Sequence, residues 1–174
     1  REFAARVRRL DHDALGIRVL SGIECDIRRD GSLDLDDEAL AALDLVVASV
    51  HSYMNLPSAE MTTRLLRALE NRYVRILGHP TGRLLLQREA YAFDFERVAA
   101  EAARRGVAFE INASPERLDL GPPLLRTAKE RGVKFVVSTD AHHPKHLANM
   151  RYGVATARRG WLEASDILNT AMSF

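Results

Sequence analysis

The sequence has a single cysteine, Cys25, among its 174 residues. One cysteine excludes an intrachain disulfide, and a reducing compartment is then the default, so we expect a cytoplasmic protein. Long hydrophobic runs are also missing. The segment Leu43–Val50 is interrupted by Asp44 and Ser49 and is far shorter than a bilayer-spanning helix. The sequence therefore predicts no membrane segment.

Neither sign of charge dominates, since 25 lysines and arginines face 24 aspartates and glutamates. A domain that binds nucleic acid tightly by itself shows a stronger basic bias. If the chain handles a polyanion, we expect other domains of a longer protein to do most of the holding. The sequence also lacks G-x-G-x-x-G and P-loop motifs, which argues against a nucleotide-binding sheet.

What the sequence does contain is a repeated pattern of short apolar runs followed by amphipathic stretches. The runs are Ile17–Ile23, Leu45–Val50, Val74–Leu77, Val107–Ile111 and Val133–Val137, and the polar residues that end them are Glu24, His51, His79, Asn112 and Asp140. Strand alternating with helix predicts a parallel α/β sheet. A polar residue at every strand end favours a barrel, which collects its chemistry at the carboxyl ends of all strands. An open doubly wound sheet would concentrate such residues at one switch point.

The amphipathic stretches predict helices by their spacing and end signals. One predicted helix begins at Pro57 and has an apolar face formed by Met61, Leu65, Leu66 and Leu69. A second has its apolar face at Phe95, Val98, Ala99 and Ala102 and ends at Gly106. A third begins at Pro122 and ends at Arg131 and Gly132. Further helices are predicted over the first fourteen residues, with Phe3, Val7 and Leu10 on one face, over Trp161–Leu168, and in a short turn around His146.

A divalent-metal site is predicted from the residues Glu24, His51, His79, Asp140 and His142. Each alone is an ordinary polar residue at a strand end, but their recurrence at successive strand ends makes coincidence a poor explanation. Asp140 and His142, at i and i+2, are expected to point to the same side. Imidazole and carboxylate without thiolate suit Zn, Mn or Fe. Strand alternation turns Cys25 away from Glu24, so it is expected to pack in the core.

Four further residues are candidates for binding a substrate. Arg83 and Arg117 follow strand ends, where an arginine can bind phosphate oxygens bidentately, although a surface salt bridge fits equally well. Asn112 either donates to a substrate or caps a turn. His143 is out of phase with Asp140, so a structural role is its alternative.

The same residues stand in motifs that resemble the PHP (polymerase and histidinol phosphatase) family, and in particular the C-terminal PHP domain of bacterial and archaeal X-family DNA polymerases. The motifs are Gly22-Ile23-Glu24-Cys25-Asp26-Ile27, Ala48-Ser49-Val50-His51-Ser52, Ile76-Leu77-Gly78-His79-Pro80-Thr81-Gly82-Arg83, Phe109-Glu110-Ile111-Asn112-Ala113 and Ser138-Thr139-Asp140-Ala141-His142-His143. The resemblance covers nearly the whole chain from about Arg18.

This resemblance implies a distorted (β/α)7 barrel, similar to a TIM barrel, with up to three Mn or Zn ions at its carboxyl end. Glu24 would bridge two ions, His51 and His79 would complete one site, and Asp140 and His142 would serve the other two. The family pattern begins with a His-x-His strand, an Asp and a further His, none of which the chain contains. We therefore expect residues 1–174 to form one PHP domain that lacks its first two strands and is weakly active or inactive alone.

The resemblance implies a metal-dependent phosphoesterase that acts as a 3′–5′ exonuclease on DNA 3′ ends during repair, within a DNA polymerase. Two alternatives remain. One is a phosphatase of small molecules such as histidinol phosphate, and the other is a non-catalytic PHP domain that keeps only the fold.

Overall fold

Five short strands pair in parallel in the order in which they occur in the chain. The computed structural model describes residues 2–10 and 12–170. The strands are β1 (Gly22–Asp26), β2 (Leu45–Ser49), β3 (Ile76–Leu77), β4 (Ala108–Asn112) and β5 (Phe135–Ser138). The sheet order β1-β2-β3-β4-β5 contains no reversal, as expected of successive βα units in a barrel and not of a doubly wound sheet. In the described part of the chain β1 and β5 are the outer strands.

Helices connect and cover these strands. They are α1 (Glu2–Val7), α2 (His12–Leu15), α3 (Asp37–Leu40), α4 (Ser58–Leu69), α5 (Phe95–Arg105), α6 (Pro122–Glu130) and α7 (Met150–Arg159), with 3-10 helices at Pro144–Asn149, Ala164–Asp166 and Leu168–Thr170. No described helix is long and apolar enough to cross a membrane.

The helices α4, α5 and α6 form where their end signals predict. The Asp94 carboxylate accepts a hydrogen bond from the N–H of Arg97 at the start of α5, and Gly106 ends that helix at φ 70°. This left-handed conformation costs glycine little, which explains why the helix stops there. Prolines occupy the first turn of α6, where their missing N–H groups have no intrahelical partner to lose.

The core lies between the sheet and these helices. Phe109 and Ile111 of β4, Phe135 of β5 and Leu65 of α4 are fully buried in it. Cys25 is also completely buried in this cluster, which confirms that it packs and does not face the polar side of β1. Burial raises the pKa of its thiol to about 12. The other face of the sheet carries the polar residues.

Two predicted helices differ from the structure. One helix is predicted over the first fourteen residues, of which residues 1 and 11 lie outside the described part; the others contain the separate short helices α1 and α2. Helix α1 buries Ala4 and Val7, while Phe3 and Leu10 are exposed. The predicted helix Trp161–Leu168 is wrong: Ala164–Asp166 form one 3-10 turn, Ile167 pairs with Phe135 at the edge of β5, and Leu168 begins a separate 3-10 helix.

The α-helix that follows β5 in the structure is α7, Met150–Arg159. Its close packing depends on Gly153, where a Cβ would lie 2.5 Å from Cγ1 of Val137 and 2.8 Å from Cβ of Ala113. The prediction missed α7 because glycine and β-branched residues lower its helix propensity, whereas packing on the sheet stabilises it.

Candidate metal centre

Three of the predicted ligands converge at the carboxyl ends of neighbouring strands. Oε1 of Glu24 lies 3.1 Å from Nε2 of His79 and 3.5 Å from Nε2 of His51. The two Nε2 atoms are 3.2 Å apart. Ligands bound to one ion at about 2.0–2.2 Å, with angles near 100° between them, are about 3.1–3.5 Å apart. This triangle of donor atoms therefore fits one divalent ion, and within the described residues it is the one group of three or more such side chains close enough to do so.

Strand register brings the triangle together. Glu24 pairs with Val47 on β2, and Val47 pairs with Ile76 on β3. His51 and His79 each lie two residues beyond the last residue of their strand. Parallel pairing in register carries all three side chains to the same end of the sheet. Glu24 itself lies within β1 and not after it, because the strand begins at Gly22 instead of Ile17.

Glycine makes room for this arrangement at position 78. A Cβ on Gly78 would lie 2.2 Å from Oγ of Ser49 and 2.8 Å from Cγ1 of Val47, so any other residue there would displace these two side chains of β2. The next residue, His79, has φ 25°, an uncommon value outside glycine, and its backbone N–H donates to Oε2 of Glu110 at 2.5 Å. The strained backbone of His79 is thus held by a buried carboxylate.

The electrostatics of the triangle favour a cation. Hydrogen bonding from His51 and His79 holds the pKa of Glu24 far below its ordinary value of 4.5. The Glu24 carboxylate, and with it Asp26, raises the pKa of His51 to about 9 against the opposing effect of partial burial. The His51 ring therefore carries a proton on both nitrogens at neutral pH, and an ion that binds to Nε2 must displace the proton there.

Asp140 and His142 lie apart from the triangle, beyond β5. Oδ2 of Asp140 accepts a hydrogen bond from Nδ2 of Asn112 at 3.2 Å. The His142 side chain is 81% exposed, and its Nδ1 lies 2.8 Å from the Asp140 backbone oxygen. That Asp140 and His142 complete the metal centre stays a prediction.

Asn112 links the two groups of predicted ligands. It is fully buried, and its Nδ2 is 3.4 Å from Oε2 of Glu110, the same oxygen that accepts from His79. Its Oδ1 accepts from the N–H of Ser114, so Asn112 caps the turn after β4, as one of its two interpretations predicts. Burial raises the pKa of Glu110. A chain of polar groups thus runs from the buried His79 through the buried Glu110 and Asn112 to the partly exposed Asp140.

The two candidate arginines have different surroundings. Arg83 donates to the carbonyl oxygens of Arg117 and Leu118, so its guanidinium orders the loop after β4. Among the described residues, no ion pair contains Arg83 or Arg117. Nη1 of Arg117 is buried with no hydrogen-bond partner in the described residues.

Arg117 borders a cavity of about 600 Å³ that Asp140 and His142 also line. His143 is exposed and accepts from the N–H of Lys145, at the start of the 3-10 helix Pro144–Asn149 that contains His146. The short helix around His146 is confirmed.

Sequence reasoning missed residues that support the predicted ligands. Asp26 lies 2.5 Å from Nδ1 of His51. Asp119 is buried and accepts from the hydroxyl and N–H of Thr81 and the N–H of Gly82, just after His79. Arg64, from α4, donates to main-chain oxygens of the loops that follow β1 and β2. Alternation along β1 could have found Asp26, two residues after Glu24, whereas no sequence signal indicates the long-range contacts of Asp119 and Arg64.

Known proteins resemble the chain over most of its length. No family model matches it. The chain is 43% identical over 166 residues to the DNA polymerase/3′-5′ exonuclease PolX of Bacillus subtilis. The aligned region is 95% of the chain but only 29% of PolX. The chain is 31% identical over 168 residues to a probable phosphatase of a Thermoanaerobacter species, which covers 89% of the chain and 65% of the relative. A probable phosphatase of a Shewanella species is 35% identical over 136 residues, or 73% of the chain and 52% of the relative.

The chain thus spans less than two thirds of each of these relatives. The alignment with PolX, whose C-terminal region is the PHP domain, runs through all five strands and through the Glu24, His51 and His79 triangle. Together with the order of the motifs at the strand ends, it shows that the chain belongs to the PHP family.

Proposed function

We propose that this chain is the metal-dependent phosphoesterase domain of an X-family DNA polymerase. In this proposal it acts as a 3′–5′ exonuclease on DNA 3′ ends during repair. The observation that carries the proposal is the triangle of Glu24, His51 and His79, with donor atoms 3.1–3.5 Å apart. The likeness to PolX, over 95% of the chain, supports the polymerase context.

In this proposal Glu24, His51 and His79 hold one Mn or Zn ion, and Asp140 and His142 serve further ions, up to three in all. A divalent ion in such a centre supplies Lewis-acid activation of water and neutralises charge on the leaving oxygen. The chain's own part is to fix the ligands. Glu110 and Asn112 maintain the distance between the triangle and Asp140 through the buried hydrogen bonds described above.

The substrate is proposed to lie against the cavity beside Asp140. Arg117 lines this cavity, and its Nη1 has no hydrogen-bond partner among the described residues, so it has donor capacity for a phosphate oxygen. Arg83 contributes by holding the main chain of Arg117, since its Nε donates to the Arg117 oxygen at 3.0 Å. His143 is exposed and is proposed to contact the substrate, whereas Asn112 is fully buried and is proposed to act on the substrate through its hydrogen bond to Asp140.

The five strands are proposed to form part of a seven-stranded barrel. Their uninterrupted sequential order supports this, because each new βα unit in a barrel adds one strand beside the last. DNA is proposed to be held largely by other domains of the longer protein. The net charge of +1 supports this division, since 25 basic residues are offset by 24 acidic ones.

A phosphatase of small molecules is the second candidate. The observation that favours it is the coverage of the relatives, because the chain spans 65% of the Thermoanaerobacter protein that is named a probable phosphatase but only 29% of PolX. The cavity beside Asp140 has the size of a small-molecule site.

One assay separates these functions. The full-length product of the gene is incubated with Mn²⁺ and offered gapped DNA labelled at its 3′ end and, separately, histidinol phosphate. We expect release of nucleotides from the DNA, and its loss in His51→Ala and in Asp140→Ala. His12→Ala is the matched control, because His12 lies in α2, outside the site, and its Nδ1 accepts from the N–H of Val19.

Turnover of only the small ester would favour the phosphatase, and no turnover of either substrate would favour the non-catalytic domain. Nuclease activity that survives in both site variants would contradict the proposed ligands. The same assay on the isolated chain tests whether residues 1–174 are weakly active or inactive alone.

A further inference from the structure

Asp26 lies on the same face of β1 as Glu24, because it follows two residues later on the strand. One of its carboxylate oxygens, Oδ1, lies 2.5 Å from Nδ1 of His51. The other ring nitrogen of His51, Nε2, faces Glu24 at 3.5 Å and His79 at 3.2 Å. The ring thus stands between a carboxylate outside the triangle and the triangle itself.

This placement decides which nitrogen of His51 is free to bind an ion. A neutral imidazole has one N–H and one lone pair, and a carboxylate beside one nitrogen fixes the proton there. When an ion displaces the proton of Nε2, the remaining proton is on Nδ1 and the lone pair of Nε2 points toward Glu24 and His79. A carboxylate that accepts from the far nitrogen also makes the ring a stronger metal ligand.

The backbone around Asp26 is held on both sides. Its N–H donates to Oδ1 of Asp34 at 2.9 Å, and its own carbonyl oxygen accepts from the N–H of Asp34 at 3.1 Å. The buried Arg64 donates to the carbonyl oxygens of the next two residues, Ile27 and Arg28. The Asp26 carboxylate is therefore presented from a fixed position before any ion binds.

The second histidine of the triangle is held in a different way. Nδ1 of His79 is buried and has no hydrogen-bond partner in the part of the chain that the structure describes. Its side chain is only 2% exposed, whereas that of His51 is 37% exposed. Packing orients His79, but the exposed His51 has no such enclosure and depends on a directed contact.

We propose that Asp26 is a positioning residue of the metal centre: its carboxylate accepts the Nδ1–H of His51 and aims Nε2 at the ion. This rests on the proposed function, in that it needs Glu24, His51 and His79 to be ligands. Asp26 itself does not bind the ion.

The test is calorimetric titration of the metal-free chain with Zn²⁺. Asp26→Ala is expected to weaken binding by about 10- to 100-fold, the usual effect of losing such a partner. Asp26→Asn is expected to weaken it less, because the amide oxygen still accepts from Nδ1. Asp30→Asn is the matched control, because it removes the same charge from an exposed side chain. Among the described contacts Asp30 is bonded only to Ser32 and Arg67. This variant should bind Zn²⁺ as tightly as the wild type.

A second readout is nitrogen NMR of the Zn²⁺-loaded protein labelled on histidine. The wild type should have a proton on Nδ1 of His51 and zinc on Nε2, and Asp26→Ala should show a second population with the ring turned or unbound. A merely structural role for Asp26 would change the stability of the protein and leave the ring unchanged.

The outcomes separate the two claims. Wild-type protein that binds no Zn²⁺, or Glu24→Gln that binds as tightly as the wild type, overturns the metal centre and the positioning role with it. Binding that is lost in Glu24→Gln but unchanged in Asp26→Ala overturns the positioning role alone. If Asp26→Asn loses Zn²⁺ binding as completely as Glu24→Gln does, Asp26 is itself a ligand, and the positioning role is overturned.

Discussion

Metal binding at the triangle should release one proton from His51, and the affinity should therefore depend steeply on pH. The pKa of His51 is raised to about 9 by the carboxylates of Glu24 and Asp26, so at pH 7 most His51 rings carry a proton on both nitrogens. An ion must compete with this proton for Nε2. The apparent affinity at pH 7 is then roughly 10- to 100-fold below its limit at high pH, where the lower figure allows for solvent screening of a side chain that is 37% exposed.

The assay is titration calorimetry with Mn²⁺ or Zn²⁺ at pH 7.0, 7.5 and 8.0, each in two buffers with different enthalpies of protonation. The dissociation constant should fall about tenfold over this one pH unit, and close to one proton should be released for each ion bound. His51→Gln should bind more weakly and lose this pH dependence. Binding without proton release in the wild type would refute the reasoning, since it would mean that His51 is neutral or is not a ligand.

Four further outcomes are expected from the same structure. The metal-free protein should lose stability as the pH rises from about 6.5 through 9, because the contacts with Glu24 and Asp26 that raise the pKa of His51 stabilise the fold only while its ring is positively charged. Thermal melting of the wild type and of His51→Gln across this pH range measures the effect. Asp119→Ala should cost about 3 kcal/mol in urea unfolding, because it leaves buried donors without their acceptor. Gly106→Ala should cost roughly 1–2 kcal/mol from backbone strain at φ 70° alone, since nothing lies within 4 Å. Gly153→Ala should cost about 1–3 kcal/mol by overpacking α7 on β5, and an unchanged urea midpoint would contradict the close approach there.

The strands and the polar residues near their carboxyl ends could be predicted because both leave local signals. A buried parallel strand is a short β-branched run, and the polar residue at its end stands out against it, as His79 does after Ile76 and Leu77. The sequential order of the sheet follows from the alternation of strands and helices. Even so, the start of β1 was placed five residues too early, because apolar residues that precede the strand, such as Ile17, look the same in sequence.

The remaining features depend on contacts between distant parts of the chain. The Arg64 guanidinium is buried among carbonyl groups that lie 11 or more residues away in sequence, and Asp119 accepts from Thr81 across 38 residues. Neither residue type predicts such a partner, since arginine and aspartate are more often exposed. The last helix was misplaced for a related reason, because α7 is stabilised by the fit of Gly153 against Val137 and not by local propensity.

The central claim is that Glu24, His51 and His79 bind a divalent ion. A crystal of the chain grown with Mn²⁺ and measured at the manganese absorption edge tests it most directly. The account predicts an anomalous peak about 2.1 Å from Oε1 of Glu24 and from Nε2 of both histidines. A peak elsewhere, with these three side chains hydrogen-bonded only to one another, would contradict it.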